Sequence, residues 1–192
     1  MTPHVPLGAN EIIEDVHRAH EIGITMVHLH ARDEPTWRAE QYARIIEGIR
    51  DFAPELILCV SLSGRNHNSL ERRSEVLQLD AMHKPDMGSL TLSSLNFNRQ
   101  ANVNEPDMIK ALASAMFERG IMPELEVFDA GMINYARYLE RKGYLQPPHY
   151  FNLIVGNVAC AQADLLHVGV MINDLPSEAF WSIGGLVVHS YK

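Results

Sequence analysis

The chain of 192 residues holds only two cysteines, Cys59 and Cys160, and no Cys-x-x-Cys pair. A disulfide scaffold and a zinc knuckle are thereby excluded. Each cysteine lies in an apolar or small-residue segment and is expected to be a reduced, buried packing residue. Positive charge is scarce and scattered: 16 Lys and Arg stand against 24 Asp and Glu, a formal net charge of -8. That balance lacks the basic cluster a nucleic-acid phosphate footprint requires, so small molecules are the expected partners. No apolar run approaches the roughly 18 residues of a membrane span. The opening Met1-Thr2-Pro3-His4 has neither the basic nor the apolar stretch of a signal peptide, and a cytoplasmic location is expected. Gly-x-Gly-x-x-Gly follows no strand and Gly-x-x-x-x-Gly-Lys does not occur, so neither the dinucleotide nor the P-loop phosphate cradle is present. No linker rich in Pro, Gly or Ser divides the chain, and residues 1–192 are expected to form a single domain.

What the chain does contain is an alternation of helical and strand periods. Residues 10–23 open with Asn10 and a run of acids, carry Ile12, Val16 and Ala19 on one stripe, and end at a glycine, which predicts a helix. Residues 25–30 alternate with period two and predict a strand. The pattern repeats with helices over 39–52, 69–79, 105–119, 131–142 and 162–173, and strands over 56–63, 88–92, 122–128, 150–155 and 180–183. Asn104 is the expected cap of the 105–119 helix, Pro106 falls in its first turn, and residues 93–104 are expected to be a loop. His20-Glu21-Ile22-Gly23-Ile24 and Phe117-Glu118-Arg119-Gly120-Ile121 are echoes in which a glycine closes a helix and a strand follows at once. Alternation of this kind predicts a parallel α/β sheet of about six strands.

The faces of those strands decide between sheet types. Met26, His28 and His30 share one side and Val27 and Leu29 the other, because successive side chains point to opposite faces. Likewise Cys59, Ser61 and Ser63 oppose Leu58, Val60 and Leu62; Ser89 and Thr91 oppose Leu90 and Leu92; Glu124 and Glu126 oppose Leu125 and Val127. A doubly wound sheet lies under helices on both faces and would be apolar on both, whereas a barrel can gather polar groups on its axial face. The expectation is therefore an α/β barrel with chemistry near the carboxyl ends of its strands. His28 and His30, two apart on one strand face, can serve one metal ion, and zinc suits such nitrogen ligands; a core pair bonded to neighbours is the structural alternative. Glu126, pointing inward near such an ion, can be a ligand or an acid/base group, since burial would raise its pKa; an inner-face structural carboxylate paired with an Arg is the alternative. Glu124, further from the carboxyl end, is expected to be structural. Ser61, Ser63 and Gly64 close a strand in a small polar loop suited to a substrate carboxylate. His67, His83 and His149 lack partners in sequence and are expected at the surface.

Val27-His28-Leu29-His30-Ala31-Arg32-Asp33, together with Pro6-Leu7-Gly8-Ala9-Asn10-Glu11, Ser94-Leu95-Asn96-Phe97, Leu125-Glu126-Val127-Phe128-Asp129 with Gly131, and Phe180-Trp181-Ser182, resembles the β-keto acid cleavage enzymes, whose founding activity is 3-keto-5-aminohexanoate cleavage in lysine fermentation. The resemblance implies a (β/α)8 TIM-type barrel holding a divalent metal, usually zinc. It implies a transferase activity that exchanges fragments between a β-keto acid and acetyl-CoA, giving acetoacetate and a new acyl-CoA. It implies His28 and His30 as metal ligands, Ser61 and Gly64 as substrate contacts with Ser63 competing for the role of Ser61, Ser94 and Asn96 as further substrate contacts, and Glu126 as the catalytic carboxylate.

The chain departs from the family pattern in length and at its ends. A full eight-unit barrel typically takes about 250 residues. The Arg-Val-Gly-Leu-Glu-Asp-like stretch carrying the third metal ligand and the catalytic Arg and Asp has no counterpart here, nor does a first strand before Thr2. An incomplete barrel, weak metal binding, poor turnover and homo-oligomerisation through open sheet edges are the resulting expectations. The competing readings are a metal-dependent hydrolase of amidohydrolase type using the same His-x-His, and a noncatalytic barrel fragment.

Overall fold

A computed structural model describes residues 5–31, 38–65 and 68–186. Helix α1 (Ala9–Glu21) buries Ala9, Ile12 and Val16 and ends before Gly23, whose φ of 96° reverses the chain into strand β1 (Met26–Leu29). Helix α2 (Arg38–Arg50) and strand β2 (Ile57–Val60) follow, then a short helix α3 (Leu70–Ser74), whose Ser69 cap accepts the Arg72 amide, and strand β3 (Met87–Thr91). Helix α3 runs on as a 3-10 turn over Glu75–Gln78, so the expected helix over 69–79 is present in a tighter form. Next come the two-residue strands β4 (Leu95–Asn96) and β5 (Ala101–Asn102), helix α4 (Pro106–Glu118), strand β6 (Met122–Val127), helix α5 (Ala130–Arg141), strand β7 (Tyr150–Val155), helix α6 (Leu165–Asp174) and strand β8 (Phe180–Gly185).

The six longer strands form one parallel sheet in the order β1-β2-β3-β6-β7-β8. Three interstrand spacings of about 4.8 Å would put β1 and β6 roughly 14 Å apart on a flat sheet. Yet His28 on β1 reaches Glu124 on β6 at 2.6 Å. The sheet therefore curls into a half-barrel whose concave face carries the period-two polar residues. Its convex face carries Leu29, Leu58, Val60, Leu90, Leu125, Val127, Phe151 and Leu153, all buried against Tyr42, Ile45, Ile46, Ile49, Leu112, Met116 and Ile133 of the helices. The Tyr42 hydroxyl donates to the Leu29 carbonyl at 3.0 Å and so fixes α2 on β1. The α/β class, the parallel sheet and its six strands agree with the sequence expectation.

Four local expectations are corrected. Residues 93–104 are not a plain loop: β4 and β5 pair antiparallel, in segments too short for any periodicity to reveal. Asn104 does not cap α4, because Glu105 takes the N-cap position while the Asn104 side chain accepts from Arg73 at 2.8 Å and donates to the Ser93 carbonyl at 3.0 Å. His149 is buried, bonded to Glu140 at 2.9 Å, and His83 is half-buried near Glu47; His67 lies outside the described residues. Both cysteines are free, but Cys160 is only partly buried. Leu165 and Leu166 of α6 and Phe180, Trp181 and Ile183 of β8 are exposed, Trp181 and Ile183 on one face of the strand and Phe180 on the other. No helix among the described residues is long and apolar enough to cross a membrane.

Candidate active site

The concave face gathers ionisable groups from four strands. Glu124 sits at its centre, 2% exposed. Its Oε2 accepts from the His28 Nδ1 at 2.6 Å and from the Cys59 thiol at 3.2 Å, and its Oε1 accepts from the Asn152 Nδ2 at 3.0 Å. Burial opposes the charged carboxylate, yet the His28 hydrogen bond and charge, with Cys59 and Asn152, hold the Glu124 pKa below its ordinary value. On the partner side, burial works against the imidazolium, but the Glu124 bond and charge outweigh it and raise the His28 pKa. The Cys59 thiol is pushed well up by burial and by the neighbouring carboxylates, so it stays protonated and donates.

Two residues further along β6, Glu126 accepts from the Thr91 hydroxyl at 2.5 Å. Burial and the Glu124 charge raise its pKa, while His28, Thr91 and Arg65 pull it back only in part. One strand thus carries two carboxylates whose surroundings drive their proton affinities apart. The His28 and His30 rings stack with centroids 4.8 Å apart, and the His28 Nε2 is buried without a hydrogen-bond partner among the described residues. The described groups whose ligand atoms lie within 4.8 Å of one another are those of His28, Cys59 and Glu124.

The loops that follow the strands complete the site. Ser61 is buried and its Oγ accepts the Ser63 amide at 3.3 Å, whereas the Ser63 oxygen is taken by the backbone and side chain of Arg65. Gly64 lies against Arg73: a Cβ there would come within 2.8 Å of the Asn68 Oδ1 and 2.9 Å of the Arg73 Nη1. Arg73, 2% exposed, donates to the Leu62 carbonyl at 2.8 Å and to the Asn104 side chain, and Asn104 in turn donates its amide to the Ser94 Oγ at 2.8 Å. One guanidinium therefore ties the loop carrying Ser61 and Gly64 to the loop carrying Ser94. Asn96, exposed on β4, presents its carbonyl to the Asn157 side chain at 3.1 Å.

His28, His30, Ser61 and Glu126 thus meet on or beside the concave face, and Gly64, Ser94 and Asn96 lie on the loops at its carboxyl end. From sequence Glu124 reads as structural and Cys59 as a buried packing residue, and Asn152 and Arg73 are not singled out. Asn152 carries the signal in its parity, since Tyr150, Asn152 and Ile154 are half-buried while Phe151, Leu153 and Val155 are buried. Tyr150 donates to the Ser182 Oγ at 2.7 Å, extending the polar layer to β8.

Comparison with known proteins gives this geometry a family. The family model described as beta-keto acid cleavage enzyme matches residues 1–192. The 3-keto-5-aminohexanoate cleavage enzyme of Fusobacterium nucleatum is 33% identical over 196 residues, covering 99% of this chain and 69% of that protein. The 3-oxoadipate:acetyl-CoA acetyltransferase of Cupriavidus necator is 34% identical over 190 residues, covering 96% of this chain and 65% of that protein. Among solved structures, apo ObcA superposes with a TM-score of 0.73 at 24% identity, over 82% of this chain and 37% of ObcA, a likeness of fold. The chain spans about two thirds of the length of these curated relatives and well under half of ObcA. On the whole-length family match and identities of this size, the chain belongs to the beta-keto acid cleavage enzyme family.

Proposed function

We propose that the chain carries the β-keto acid site of an enzyme that cleaves such an acid with acetyl-CoA, releasing acetoacetate and forming a new acyl-CoA. The observation that carries this reading is the pair of carboxylates on β6, Glu124 ionised against His28 and Glu126 raised beside Thr91, on the concave face of a chain in this family. Glu126 is the catalytic acid/base: it holds a proton at Oε1 or Oε2 and exchanges it with the carbon released as the keto acid bond breaks. Ser61 and the Gly64 amide, with Ser94 and Asn96, receive the substrate's polar groups on the loop side. Ser61 and Ser63 both stand for this role, since the Ser61 oxygen accepts the Ser63 amide and the Ser63 oxygen accepts from Arg65.

The residues fit a divalent cation such as zinc, on the evidence of a buried His28 Nε2 left unpartnered while Nδ1 is fixed by a carboxylate. His28 and His30 would hold it, and it would supply Lewis-acid stabilisation of enolate charge. Glu124 orients His28 and is itself engaged by His28, Cys59 and Asn152, so among the described residues the two imidazoles have no uncommitted carboxylate grouped with them and make a weak site. Titration calorimetry is expected to give weak zinc uptake that His28→Ala removes; a tight site abolished by that substitution would refute the weak-binding claim. The eight-unit barrel of which these six strands form part, and self-association at the open β8 edge with its exposed apolar side chains, belong to the same proposal.

The test is calorimetric binding of 3-oxoadipate in excess zinc, followed by an assay for acetyl-CoA-dependent acetoacetate. Binding that weakens in Ser61→Ala, and slow acetoacetate release that stops in Glu126→Gln, are expected. No uptake at millimolar keto acid overturns the reading.

A further inference from the structure

Arg65 follows Gly64 directly, in the loop after β2, and is exposed. Its position is nevertheless defined. The Nε donates to the Ser63 Oγ at 3.2 Å, and the guanidinium carbon lies 5.2 Å from the centre of the Phe97 ring. Phe97 in turn packs edge-on against Phe128, the residue after β6, with centroids 5.9 Å apart. A long flexible side chain is thus held between the loops that follow β2, β3 and β6, at the carboxyl end of the strands that carry Ser61, Thr91 and Glu126. Among the described residues, neither terminal nitrogen of Arg65 has a protein acceptor, and the fork they make matches a carboxylate in a bidentate way.

We propose that Arg65 is a specificity-determining residue that selects β-keto acids bearing a second carboxylate at the end away from the reacting carbons. The proposal deepens the β-keto acid reading above and rests on it. A reacting head placed beside Glu126 directs its tail along the loops toward Phe97, where the guanidinium waits. A carboxylate tail gains a charge-assisted pair with Arg65; an alkyl tail gains only the Phe97 ring; an ammonium tail is repelled. Losing a charge-assisted bond of this kind corresponds to roughly a ten- to hundredfold change in affinity.

The test uses the full chain in excess zinc, titrated with 3-oxoadipate and with 3-oxohexanoate, which share one carbon skeleton and differ in the terminal carboxylate. The native chain is expected to prefer the dicarboxylate by about tenfold or more, Arg65→Gln to bring the ratio of the two affinities close to one, and Arg65→Lys to keep part of it. Unchanged thermal midpoints confirm that the variants fold, as an exposed side chain allows. A native chain without preference, or an Arg65→Gln variant that keeps the native ratio, overturns the proposal while leaving the β-keto acid reading standing. A native chain that takes up neither acid sinks both. Coenzyme A is titrated alone in parallel: loss of its affinity in Arg65→Gln with the acid ratio intact shows that the fork serves a phosphate, which also overturns the proposal.

Discussion

Replacing Glu124 by Gln tests the centre of the concave face with little change of shape. The carboxylate accepts from His28, Cys59 and Asn152 at 2.6, 3.2 and 3.0 Å. A glutamine oxygen can keep His28 and Cys59, but its amide then faces the Asn152 Nδ2, and Asn152 must turn its oxygen inward and loosen its contact with Ser182. Exchanging a charge-assisted bond for a neutral one and rearranging a second costs about 2 kcal/mol. Glu124→Leu leaves all three donors unanswered and costs about 4 kcal/mol. Urea unfolding at several pH values reads both the size and the sign. The His28 pKa is raised above 6.5, so its contribution is fully present below that value and is lost as pH rises through the folded pKa. The Glu124 pKa is lowered below 4.5, so its contribution is present above that value and is lost as pH falls through the folded pKa. Stability from the pair is therefore greatest between about 4.5 and 6.5 and falls on either side, and Glu124→Gln flattens both slopes. A Gln variant within 0.5 kcal/mol of the native chain with an unchanged pH profile would show that the pair does not hold this face together.

Cys59 is expected to resist a thiol reagent until the chain unfolds, being buried and protonated, and rapid labelling of the native thiol would contradict its placement. Gly64→Ala places a methyl within 3 Å of Asn68 and Arg73, and a loss of about 1–3 kcal/mol is expected in chemical denaturation; a neutral effect would mean that the loop moves away without cost. Trp181→Glu on the apolar β8 face is expected to shift sedimentation toward the monomer, and an unchanged distribution would remove that face from any self-association.

Much of the architecture is legible in sequence because it rests on local rules. The helix closures at Gly23 and Gly120, both with positive φ, and the period-two split of the strands each follow from a few consecutive residues. The polar parity of His28, Ser61, Thr91 and Glu126 even separates a curled sheet from a doubly wound one. What escapes is every decision made by pairing across distance. Glu124 reads as structural because it sits deeper than Glu126 on one strand, and its partner His28 lies 96 residues away in the chain. Cys59 reads as packing because a lone cysteine resembles a small hydrophobe, although its strand points it at that carboxylate. Asn104 satisfies the pattern of a helix cap, but a buried guanidinium on α3 competes for its oxygen and wins.

The sequence by itself determined the family, the α/β alternation and which side chains share the concave face, since these depend on periodicity and on motifs that stay together in the chain. Only the tertiary structure decided that Glu124 bonds His28, that Glu126 lies beside Thr91 with a raised proton affinity, and that Arg73 and Arg65 join the loops around them. Curling brings the side chains of β1 and β6 from the roughly 14 Å separation of a flat sheet into hydrogen-bond contact. At that range burial and charge, acting through space and not along the chain, set the protonation of each group.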